Sequence, residues 1–106
     1  MDNGPLYTIT AGAWDGDDVV SEWTDGRSAL SAVSTGIVKV MLQVPVAEAN
    51  FAAAITQNGI PVDAYFGVDH ISDHEKHIVS KAGEEEFVNT NFSFVFYRGD
   101  NTAAAY

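Results

Sequence analysis

The run from Ile37 to Val44 alternates with the two-residue period of a β-strand, so that Val38, Val40, Leu42 and Val44 form one continuous apolar face. Ile37 and Met41 add apolar side chains to the opposite face, which predicts a central strand rather than an edge. A chain with such a strand must supply partners for its backbone and a second layer to cover its apolar face. The same period recurs elsewhere. From Leu6 to Ala13, Tyr7, Ile9, Ala11 and Ala13 lie on one side and threonines on the other. After Pro61, Val62, Ala64, Phe66 and Val68 face one way, with Asp63, Tyr65 and Asp69 opposite. Phe87 to Tyr97 sets Phe92, Phe94 and Phe96 against Ser93, Val95 and Tyr97, and Ile78 to Ala82 is a weaker strand before a Gly83-Glu84 turn.

Between these strands, other segments read as helices. Asp25 is placed to cap a short helix around Arg27 to Ser34, with Leu30 and Val33 inward and Gly36 just past its end. Pro45 suits the first turn of a second helix, Ala47 through Asn58, with Phe51, Ala52 and Ile55 as its buried stripe and Asn58-Gly59 as its stop. Val19 to Trp23 is too short to assign, and the tail from Gly99 to Tyr106 is expected to be loose. The resulting expectation is one α+β domain over residues 1–106. It is a two-layer sandwich, with a mainly antiparallel sheet of about four to five strands and both helices on one face.

With 106 residues, 46% of them hydrophobic, the chain can bury one core, and having no cysteine it must do so without disulfides or thiolate metal sites. The start, Met1-Asp2-Asn3-Gly4-Pro5, is neither basic nor followed by an apolar run, which points to the cytoplasm. Lys39, Gln43, Pro45 and Glu48 interrupt the most apolar stretch, so no membrane span is expected. Fifteen Asp and Glu against five Lys and Arg give a formal net charge of −10. Direct binding to nucleic acid or an anionic membrane is therefore disfavoured, whereas a protein partner with a basic surface is compatible.

Three clusters are candidates for function. Asp15, Asp17, Asp18, Glu22 and Asp25 form an acidic group flanked by Trp14 and Trp23, and Glu84, Glu85 and Glu86 form a second. The first lacks the glycine and glutamate of an EF-hand at the required spacing, because Val20 and Gly26 stand there, and a solvated turn explains it as well. Were both groups to meet on one surface, they would offer carboxylates to a Lys/Arg-rich groove that normally receives phosphates, with tryptophan beside them as an interface anchor. The third cluster is His70, His74 and His77, which would share a face on a helix and could ligate zinc or nickel. A polar loop between strands accounts for the same residues without metal. No phosphate loop, nucleophile elbow or His-Glu-x-x-His helix is present.

These observations lead to the expectation of a non-enzymatic binding protein without a cofactor. It would dock on a basic surface of a larger protein and inhibit or regulate it. Small size, acidity and the missing catalytic motifs are shared with many phage-encoded inhibitors of host defence, and equally with toxin-neutralising immunity proteins and unrelated acidic domains. The alternatives are a structural subunit of a homo-oligomer or particle, and a metal-binding protein centred on the histidines.

Overall fold

The computed structural model describes residues 6–15, 23–58 and 64–99. Its strands are β1 (Leu6–Trp14), β2 (Trp23–Thr24), β3 (Ser28–Ser34), β4 (Ile37–Leu42), β5 (Phe51–Gln57), β6 (Tyr65–His70), β7 (Glu75–Lys81) and β8 (Phe92–Gly99). They form two four-stranded sheets, ordered β2-β1-β8-β5 and β3-β4-β7-β6, and every pairing is antiparallel. The sheets pack face to face as a β-sandwich. The only helical element among the described residues is a 3₁₀ turn, Glu48–Asn50. The expected α+β class is therefore wrong: the second layer is another sheet.

Both expected helices are strands, and each miss has a physical cause. Ser28–Ser34 contains Ser, Ala and Val spaced loosely enough for either period, and a helix that short would be marginal by itself. Here its backbone pairs along β4, from Ser28 opposite Leu42 to Ala32 opposite Val38. Phe51–Gln57 contains helix-forming alanines, but Phe51 and Ile55 also fit a two-residue period. The free edge of β8 decided between them, pairing Phe51 with Arg98 through Gln57 with Phe92. Gly36 terminates no helix. It turns β3 into β4 at φ 75°, a left-handed conformation that suits glycine, and its backbone lies against Ser80 and Val88.

The core has the composition the alternation predicts for its best segments. Val38, Val40 and Leu42 of β4 meet Phe92, Phe94 and Phe96 of β8 across the sandwich, with Ile78 and Val46 buried among them. Phe66 and Val68 of β6 pack against this core, as do Phe51 and Ile55 of β5. Val44 departs from the expected face and is exposed, because β4 ends at Leu42. In β1 the register shifts between Thr8 and Thr10. This irregularity turns Thr10 and Gly12 inward, where the sequence pattern had placed Ala11 and Ala13.

The strands run alternately up and down, so each connection belongs to one of two ends. Trp14 pairs with Phe92, Gln57 with Phe92, and Tyr65 with Lys81, which gathers these strand termini at one end with the described connections 35–36 and 82–91. The connections 25–27, 43–50 and 71–74 lie at the other.

Candidate functional site

Among the described residues, the connections of the first end carry Asp15, Glu84, Glu85 and Glu86, with Lys81 at the end of β7 beside them. Asp17, Asp18 and Glu22 lie outside the described residues. Asp15 and the Glu84–Glu86 group belong to one end of the molecule. Glu84, Glu85 and Glu86 are exposed and enter no ion pair among the described residues. Their segment is held from inside by backbone bonds: Ala82 N–H donates to Glu86 O at 2.9 Å and Val88 N–H to Ser80 O at 3.1 Å. Asn89 Oδ1 accepts from Gly36 N–H at 2.9 Å, tying the 82–91 connection to the β3–β4 turn.

Three large aromatic side chains at this end of the strands are exposed. Trp23 is 57% exposed, Tyr65 54% and Phe87 39%. Trp14, its sequence companion, instead packs against the core. Tyr65 and Phe87 line a cavity of about 240 Å³ together with Phe66, Asp69 and Lys81, and Lys81 Nζ lies 4.9 Å from the Phe87 ring centre. Phe87 is absent from the sequence-based candidates, because its apolar neighbours made it look like the start of the last strand. That strand begins at Phe92.

The opposite end treats its charges differently. Asp25 neither caps a helix nor faces solvent as part of an acidic patch; its carboxylate organises the junction of β1, β2 and β3. Oδ1 accepts from Thr10 Oγ1 at 2.7 Å and from Arg27 N–H at 3.0 Å. Oδ2 accepts from Ala11 N–H at 3.1 Å and from Arg27 Nε and Nη2 at 2.9 and 2.6 Å. Burial alone would raise its pKa, but the bonds from Thr10, Arg27 and Ala11 outweigh it and hold the carboxyl at about 2. Arg27 also donates to Thr8 O at 3.1 Å and lines a cavity with Tyr7, Val44 and Arg98.

Lys76 is the residue sequence reasoning missed most completely. It stands on β7 with no exposed surface, and its ammonium has as many acceptors as protons. Nζ donates to Val46 O at 2.7 Å, His70 Nδ1 at 2.7 Å and Ser72 O at 2.9 Å, and lies 5.3 Å from the Phe51 ring centre. Burial lowers its pKa, while the carboxylates of Asp73 and Glu48 act in the opposite direction. The one available signal was the alternation of β7, in which Lys76 shares a face with Ile78 and Ser80.

The three histidines are dispersed by this arrangement. His70 serves Lys76, with Nε2 3.7 Å from Asp73; His74 Nδ1 donates to Leu42 O at 2.9 Å; His77 Nε2 donates to Glu75 Oε2 at 2.7 Å. Among the described residues, no three His, Asp or Glu side chains converge as a metal site would require.

In comparisons with known proteins, the chain matches no protein family, no curated protein and no solved structure.

Proposed function

We propose that the chain is a non-enzymatic binding protein that presents its acidic end to a basic surface of a larger protein and blocks or regulates it. The observation that supports this reading is the strand register, which sets Asp15 and the exposed Glu84, Glu85 and Glu86 at one end of the sandwich. Exposed Trp23, Tyr65 and Phe87 supply the aromatic anchors that concentrate binding energy at interfaces, beside carboxylates that steer encounter. A surface built to receive phosphates is the matching chemistry, so the favoured partner is a nucleic-acid-binding protein.

Affinity capture from the native host followed by surface plasmon resonance on the recovered partner tests this. The on-rate should fall steeply with salt, and added nucleic acid should compete. Glu84→Lys, Glu85→Lys and Glu86→Lys combined should slow association, whereas Glu48→Lys with Asp73→Lys at the opposite end should leave it nearly unchanged. An on-rate indifferent to salt and to the first set of reversals would sink the proposal.

A further inference from the structure

A sheet edge left with unmet backbone groups invites another strand, and proteins guard such edges with charge, proline, irregularity or brevity. Of the four edge strands among the described residues, β2 is two residues long, β3 has a register shift between Ala32 and Ser34, and β6 carries Asp69 and His70. The edge strand β5, Phe-Ala-Ala-Ala-Ile-Thr-Gln, has none of these protections. It contains no charge in a chain of net charge −10, no proline and no shift in its pairing with β8.

The hydrogen-bond pattern fixes which of its backbone groups face outward. Asn58 N–H donates to Asn91 O at 2.8 Å, so the directly opposed residues 58 and 91 form a hydrogen-bonded pair. Antiparallel ladders alternate, so Ala54 and Thr56 also bond to β8, while Ala53 and Ile55 turn their N–H and C=O away from it. The side chains of Ala52, Ala54 and Thr56 are exposed and small, leaving room for a neighbouring backbone.

We propose that β5 pairs antiparallel with β5 of a second copy of this chain, about a twofold axis through Ala54, joining the two four-stranded sheets into one. In this register Ala53 of one copy exchanges both hydrogen bonds with Ile55 of the other, and reciprocally. Twofold symmetry makes the strand its own complement. Two copies repel through their net charge of −10 each, and the orientation keeps that repulsion small. No carboxylate of one copy's strand lies opposite another, and antiparallel pairing directs the two acidic ends away from each other. The pairing leaves the acidic end free and does not depend on its function.

Sedimentation equilibrium over a concentration series should give a mass rising from 11.4 kDa to twice that value. Higher salt should strengthen this association by screening net repulsion, the opposite of its effect on docking to a basic partner. Ala54→Cys places one thiol beside the axis, where opposed Cα atoms of a non-hydrogen-bonded pair lie about 4.5 Å apart, within disulfide reach. Mild oxidation should trap it as a covalent dimer many-fold faster than Thr35→Cys on the β3–β4 turn. Ala53→Pro removes only an outward N–H and should abolish the dimer while the circular dichroism spectrum stays native. Ala54→Glu sets like charges against each other and should do the same. A wild-type chain that stays monomeric throughout, a dimer that survives Ala54→Glu, or cross-linking of Ala54→Cys no faster than the control would each overturn the proposal.

Discussion

At the end of the sandwich that holds residues 25–27 and 71–74, charge is spent on structure: Asp25 collects donors from β1 and from Arg27, and Lys76 is surrounded by acceptors. At the other end Glu84, Glu85 and Glu86 are exposed, with no ion partner among the described residues. The two ends share one core and one strand order, so the difference lies in the connections. It teaches that sequence proximity of carboxylates does not define an acidic surface. Asp25 belongs by sequence to the Asp15 group, yet its carboxylate is taken up by Thr10 and Ala11 midway along β1 and by Arg27.

Substitutions can break this contrast, and the largest effect is expected at Lys76. Lys76→Ala removes the donor from Val46 O, Ser72 O and His70 and opens a cavity, which should cost about 3–5 kcal/mol in urea unfolding. Lys76→Met keeps the volume and removes a buried charge, so its loss should be clearly smaller. Equal losses for both would show that the ammonium, and not the packing, sustains that end.

Asp25→Ala should cost about 2–4 kcal/mol, because it strands the Ala11 N–H and frees Arg27. Its acid dependence supplies an independent check. With the carboxyl held at about 2 against an ordinary 3.8, ionised Asp25 contributes about 2 kcal/mol of stability. That contribution is complete above the ordinary value and is lost as pH falls through the native one. Unfolding free energies of the wild type should therefore fall between pH 4 and pH 2 by about that amount. The Asp25→Ala variant should show a correspondingly shallower fall.

The acidic end has one structural pin of its own. Gly36→Ala would set a Cβ 2.8 Å from Ser80 O and 2.9 Å from Val88 N at a positive φ, and should cost about 1–3 kcal/mol by thermal unfolding. The smallest effects belong to the exposed carboxylates. Glu84→Gln, Glu85→Gln and Glu86→Gln should each shift stability by no more than about 0.5 kcal/mol. A large loss from any of these would mean that this end, too, uses its charge internally, and would erase the contrast on which the proposed docking surface rests.

Composition and period determined much of this protein. Net charge, the absence of cysteine, the buried faces of β4 and β8, and the inward Phe66 and Val68 were legible because each follows from residue identity or a two-residue alternation. Tertiary structure alone decided the rest. Whether Phe51–Gln57 became helix or strand depended on the open edge of β8, since alanine tolerates both and no local signal outweighs a ladder of backbone bonds. The burial of Lys76 depended on three acceptors contributed by separate segments, which no window of sequence displays. The placing of Asp15 and Glu84–Glu86 at one end depended on strand direction and register, properties of the paired chain and not of any stretch within it.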